Sequence, residues 1–323
     1  MKARRMLLPL IAACGFAAAA AAQTYPARPV TVIVPYPAGG ATDIVARLIS
    51  QGLSEEFKQS LVVDNKGGGA GMIGMEVAAR SEPDGYTLLV SSTGPATISP
   101  LLHKDGEFKP LERLEPVVSL ASAPAILLVR NDLPAKTVDE LIALSKKTPG
   151  SLNMASAGAG SLQRLVGEVF QDRTGVKWTH VPFRGSAPAL NELIAGRVDV
   201  MVDVVPSAAP FVQAGKMRAL AVMAPQRSAQ LPDVPTLAEL GRPGLEFSGW
   251  HGLFAPAGTP RGVIDTLNAT TNRILKLPSV QAGLAAIGAS ADGGPPEDLR
   301  RRMEQELRNW ADVIRKAGIT VTD

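Results

Sequence analysis

Ala38-Gly39-Gly40 links an unbroken β-branched run to a segment of helical periodicity, and that junction is where the chain could hold an anion. Glycine brings the backbone close to a ligand with no Cβ in the way. The first turn of a helix leaves its N–H groups unpaired at the positive end of the dipole, so a glycine-rich turn into a helix suits a carboxylate. Thr42 offers a hydroxyl there, and Asp43 in the first turn suits the dipole. Ser156-Ala157-Gly158-Ala159-Gly160 repeats the arrangement in the other half of the chain, with Ser161 opening the next helix. Two such turns, one per half, predict a cleft that closes on a small molecule.

Three further groups belong with these turns. Ser91-Ser92-Thr93-Gly94 puts short hydroxyls at the end of a strand, the edge where open α/β sheets bind ligands. Arg184, followed by Gly185 and Ser186, could grip a carboxylate with two parallel donors, or be an ordinary solvated arginine. In the run VDVMVDVV, Asp199 and Asp203 sit among β-branched residues and need partners if buried. Asp203, at the strand's end, is placed to face the cleft.

Other chemistries lack their residues. Gly69-x-Gly71-x-x-Gly74 has dinucleotide-binding spacing, but it falls in the second βα turn and no acid stands some twenty residues on. It reads as a tight turn that lets a helix pack on the sheet. Every Gly-rich turn lacks the P-loop lysine, and no serine sits in a G-x-S-x-G elbow. His103, His180 and His251 are scattered, and no His, Cys and carboxylate cluster has metal-ligand spacing. Neither metal nor cofactor is expected. A catalytic site assembled from distant residues stays open as an alternative.

The elements that position these groups alternate strand and helix. Strands are predicted at 30–34, 61–64, 86–90, 178–183, 198–205, 218–223 and 247–255, and helices at 72–80, 138–147, 162–173, 187–195, 236–240, 260–277 and 297–316. Val117–Val129, interrupted by Pro124, is too long for an average strand and reads as a passage between two domains. Leu299, Met303, Leu307, Trp310 and Ile314 make one apolar stripe on the last helix. The 323 residues suffice for two domains; 31 Gly and 26 Pro fit an α/β chain with many turns.

The formal charge of +3 resides in Lys2, Arg4 and Arg5; the rest of the chain has 30 basic and 30 acidic residues. With only 4% aromatic residues as well, it has neither the charge nor the stacking platforms of a nucleic-acid binder. Residues 1–22 read as a leader for export: a basic start, a short apolar core and small residues before Gln23. Ile11-Ala12-Ala13-Cys14 also resembles a lipoprotein cleavage box, which would leave Cys14 as an anchor.

The blocks YPARPVTVIVPYPAGGATDIVARL, DNKGGGAGMIG, EPDGYTLL, LNMASAGAGS, HVPFRGSAPAL, LPDVPTLAELG and GLFAPAGTP, in this order, resemble the Bug-type periplasmic receptors of tripartite tricarboxylate transporters. The likeness spans Gln23 to Asp323. It implies an α/β type II periplasmic binding protein fold, with two Rossmann-like lobes joined by a hinge and the ligand cleft between them. Residues 23–124 and 248–323 would form one lobe and 125–247 the other. It also implies a monomer that binds a small carboxylate solute and delivers it to two integral membrane subunits. By resemblance the ligand-facing positions are Tyr36, Ala38, Gly39, Gly40, Thr42 and Asp43; Ser91, Ser92 and Thr93; Ser156, Gly158, Ala159, Gly160 and Ser161; Phe183, Arg184 and Gly185; and Asp203. Ala159 and Val204 stand where the family often has Asn, and Arg164 where it often has His. Losing two amides points to a solute with a carboxylate head and a less polar body. A receptor presenting its ligand to a membrane signalling protein would look the same in sequence.

Overall fold

The computed structural model describes residues 25–102, 108–317 and 319. The leader, Cys14 and His103 lie outside them. In chain order the strands are β1 (Val30–Val34), β2 (Leu61–Asn65), β3 (Thr87–Ser92), β4 (Leu114–Arg130), β5 (Asn153–Ser156), β6 (Thr179–Pro182), β7 (Val200–Val204), β8 (Met217–Met223), β9 (Ser248–Pro256) and β10 (Ser290–Ala291). The helices are α1 (Ala41–Phe57), α2 (Met72–Ala79), α3 (Ser99–Leu102), α4 (Pro110–Arg113), α5 (Val138–Lys147), α6 (Leu162–Thr174), α7 (Ser186–Ile194), α8 (Val205–Gln213), α9 (Arg261–Leu275), α10 (Pro278–Ala286) and α11 (Pro296–Ala317).

These strands make two α/β sheets that share one strand. In the first, β2, β1 and β3 run parallel, and β9 and the first part of β4 close it antiparallel. In the second, β6, β5 and β7 run parallel, with β4 and then β8 antiparallel beside them. β4 runs unbroken through 17 residues. It pairs with β9 as far as Pro124 and with β7 and β8 from Ala125 on. Pro124 is tolerated in this interior strand because it falls where one ladder ends and the next begins, so its missing N–H costs little. β9 makes the return crossing just after Phe247, whose carbonyl accepts from Ala125 N. The two sheets are thus tied by two adjacent backbone passages.

β1 is buried on both faces, as its β-branched run requires: Val30, Val32 and Val34 pack with Val45, Ile49 and Leu53 of α1, and Ile33 packs with Met72 and Met75 of α2. Gly74 does what the tight-turn reading asks, since a Cβ there would lie 2.6 Å from Pro35 Cα. Leu299 and Met303 of α11 pack on Trp250 and Phe254 of β9, while Trp310 stacks on Phe247. Several elements differ from expectation, with α3, α4, α8, α10 and β10 all unforeseen. Residues 236–240 form a single turn, in which Thr236 and Glu239 cap one another before Gly241 ends it at φ 71°. α10 was not expected, because its apolar residues Val280 and Leu284 cover only one narrow stripe.

Candidate functional site: a cavity between the two sheets

Four helices begin at one cavity. Gly40, Ala41 and Thr42 bring the start of α1; Leu162 and Gln163 the first turn of α6; Ser186 the first residue of α7; and Val204 the N-cap of α8. Tyr36, Ser92, Thr93 and Gly94 line it from the first sheet, and Gly249, Trp250 and His251 of β9 complete the wall. Its empty space, part of which is open to solvent, is about 490 Å³. No lysine or arginine is among the lining residues, so positive potential there comes from helix N-termini.

The first loop is held from behind. Asp43 is 3% exposed and does not line the cavity. Its carboxylate accepts from Gly39 N at 3.0 Å, Arg47 Nε at 3.0 Å and Asn65 Nδ2 at 3.0 Å, and Asn65 also donates to Tyr36 O at 2.8 Å. Burial pushes this carboxyl up, but Arg47, the Gly39 N–H and Asn65 outweigh it and hold the group below its ordinary value. Asp43 therefore fixes the Tyr36–Gly40 backbone rather than meeting a ligand. Ala38 and Gly39 are exposed on the outer side of the same loop.

The second loop is also locked by internal bonds. Ser161 caps α6 by accepting from Arg164 N, and Arg164 Nη1 donates to Ala159 O at 3.3 Å. Ser156 Oγ lies 2.7 Å from His180 Nε2 and accepts from Gly158 N at 3.2 Å. Burial, reinforced by Arg164, pushes His180 down to about 4. Ser91 is buried with its hydroxyl on Met75 Sδ, and Phe183 packs into the second sheet's core. Arg184 is exposed, away from the cavity lining.

Asp203 is 1% exposed and lies behind the cavity wall, not on it. Ser186 Oγ donates to it, Ser207 Oγ donates at 2.8 Å, and Gln163 Nε2 at 3.0 Å. Burial pushes this carboxyl up, against those three donors and the Val204 backbone. Asp199 has a separate role, accepting from Arg130 Nε and Asn153 N.

Several glycines let the sheets meet around the cavity. A Cβ on Gly158 would lie 2.9 Å from Ala70 Cβ, one on Gly160 2.8 Å from Ser99 Cα, and one on Gly185 2.9 Å from Pro37 Cδ. Ser99 Oγ donates across the gap to Gly160 O at 3.0 Å. Of the positions expected to face a ligand, the structure puts Tyr36, Gly40, Thr42, Ser92 and Thr93 in the lining. It uses Gly158, Gly160 and Gly185 as points of contact between sheets. Gln163, Trp250 and His251 were missed. They follow a helix start or lie inside a strand, where no local motif marks them. Among the described residues no cluster of His, Cys, Asp and Glu could hold a metal ion.

A family profile described as "Tripartite tricarboxylate transporter family receptor" matches residues 45–319. This chain belongs to that receptor family. BugT of Bordetella pertussis is 38% identical over 309 residues, covering 95% of each chain. An R. palustris protein solved with adipate superposes with TM-score 0.89 at 38% identity, covering 92% of this chain and 99% of that one. MatC from Rhodopseudomonas palustris, solved with bound malate, superposes with TM-score 0.85 at 35% identity, covering 90% and 100%. The two sheets are thus the lobes of a type II periplasmic binding protein fold, and the family is one of extracytoplasmic solute receptors.

Proposed function

We propose that this receptor binds a small carboxylate-bearing solute between its lobes and passes it, chemically unchanged, to a transporter with two integral membrane subunits. The observation that carries the reading is the α1 N-terminus opening into a cavity that has no lining lysine or arginine. Backbone N–H groups and the Thr42 and Thr93 hydroxyls replace the solvation of one carboxylate there. Thr93 Oγ1 already accepts from Trp250 N at 3.0 Å, so its proton is available to the solute. Tyr36, Gly40, Thr42, Ser92 and Thr93 touch the solute, and Asp43, Ser161 and Asp203 hold the segments that do. Adipate and malate in the relatives' structures support the solute class. Ala41, Ala157, Leu162 and Val204 in the lining favour a less polar body behind the carboxylate.

In the same reading residues 23–124 and 248–323 form one lobe, 125–247 form the other, and the protein works as a monomer. Residues 1–22 are removed on export to the periplasm. The test is a thermal-shift screen of the leaderless protein against mono-, di-, tri- and aromatic carboxylates. A solute at a hundred times its Kd adds about 2.7 kcal/mol of stability. Gly40 has φ −84° and ψ 166°, open to any residue, so Gly40→Asp is expected to fold normally and lose the response. A G40D protein that binds as well as the parent would overturn the cradle. So would a blank screen with no solute found by mass spectrometry in the denatured protein.

A further inference from the structure

The walls of the cavity differ in what they can offer. In the second lobe, three helix starts converge on an anion the protein already carries. Gln163 of α6, Ser186 of α7 and Ser207 of α8 all donate to Asp203. Two of these donors, Gln163 and Ser186, are also lining residues. Ser186 commits its one proton to Asp203, so its Oγ turns only lone pairs to the cavity; Gln163 commits one of its two amide protons and keeps Oε1 as an acceptor. The α1 N-terminus on the opposite wall also has a buried carboxylate behind it, Asp43, but the donors to Asp43, namely Gly39 N, Arg47 and Asn65, are not lining residues.

His251 stands in the same lining and is 3% exposed. Nδ1 of its ring is buried without a hydrogen-bond partner. Ala121, its register partner on β4, is the backbone group that acts on the ring. A buried polar atom left unpaired is costly, and a partner from a ligand removes that cost. The charged groups that act on it are Asp292 and Arg302, which pair with each other at 3.2 Å. Burial pushes the imidazole down to about 4, so at neutral pH it has one donor and one acceptor and no charge.

We infer that the second-lobe wall and His251 select a solute carrying a hydroxyl in addition to its carboxylate, and reject a second carboxylate. The hydroxyl gives its proton to Gln163 Oε1 or Ser186 Oγ and shares a hydrogen bond with the His251 ring. A second carboxylate has no proton to give, and it would face the Asp203 charge across Ser186. The inference rests on the carboxylate reading of the α1 cradle and adds the chemistry of the opposite end.

Two matched sets of acids test it by titration calorimetry at pH 7.5: 6-hydroxyhexanoate, hexanoate and adipate, and 4-hydroxybenzoate, benzoate and terephthalate. In at least one set the hydroxy acid is expected to bind about tenfold or more tighter than both of its companions. His251→Phe is expected to bring the hydroxy acid and the plain acid to within about twofold of each other. His251→Gln, which keeps a hydrogen-bonding group, restores part of the preference. Asp203→Asn removes the internal charge and is expected to tighten adipate or terephthalate relative to the hydroxy acid, a gain that mere loosening of the wall does not produce. Plain acids or dicarboxylates that bind as well as the hydroxy acid in both sets overturn the inference and leave the carboxylate cradle standing. So does a preference that survives H251F intact. If none of the six acids binds, the cradle itself fails along with the inference.

Discussion

Gly160 is where a single methyl group separates closure from folding. A Cβ there would lie 2.8 Å from Ser99 Cα and 2.9 Å from Ser99 Cβ, in the first lobe. Real Cβ atoms do not approach backbone that closely, and Ser99 is buried in α3 with no room to retreat. Gly160 itself has no positive φ, so alanine costs nothing within its own loop. Gly158, at φ 130°, would be strained in any state and is the wrong probe. Overpacking of this kind costs about 1–3 kcal/mol, and here the cost falls on the closed arrangement alone. A binding protein that closes on its ligand then loses affinity by roughly 5- to 150-fold, because the competent state is depopulated by that factor. The assay is calorimetric Kd for the solute found by screening, with small-angle scattering to follow compaction on binding. Gly262→Ala is the control, since a Cβ there meets nothing within 4 Å. Unliganded G160A should melt within a degree or two of the parent. If it binds within twofold of the parent, the contact between Gly160 and Ser99 is not part of the liganded state, and the reasoning fails.

Asp43→Ala is expected to cost about 1–3 kcal/mol in denaturant unfolding, mostly from Gly39 N–H and Asn65 left without their acceptor. Arg47 is exposed, so its ion pair with Asp43 contributes little and the loss should change little with salt. The pH dependence follows from His251, whose pKa falls from 6.5 unfolded to about 4 folded. Between those values the unfolded chain binds the extra proton, so stability is full above pH 6.5 and falls by on the order of 3 kcal/mol as pH drops toward 4. His251→Phe should flatten that slope in thermal melts, leaving the part due to His180, which is also pushed down to about 4. An unchanged slope in H251F would mean that the imidazole is not held neutral by burial.

The sequence by itself determined what local rules govern. The β-branched run of β1 required a strand buried on both faces, and Ser161 marked a helix start that the structure keeps, accepting from an N–H three residues on. Gly40 and Thr42 were legible as the start of a helix because a helix N-terminus is a property of a few consecutive residues. The resemblance of ordered blocks gave the family, which the profile match over 45–319 bears out. Tertiary structure decided which way each polar group points. Asp43 and Asp203 are acids beside the cavity that face away from it, each answering to donors from other segments: Asn65 for the first, Gln163 and Ser186 for the second. Arg184 has the chemistry for a carboxylate but lies exposed, because its turn precedes α7 on the outside of the loop. His251 is invisible to motif reading, and only the pairing of β9 with β3 and β4 sets it in the cavity wall. Direction depends on residues far apart in the chain that fold into contact, and no spacing along one segment encodes it.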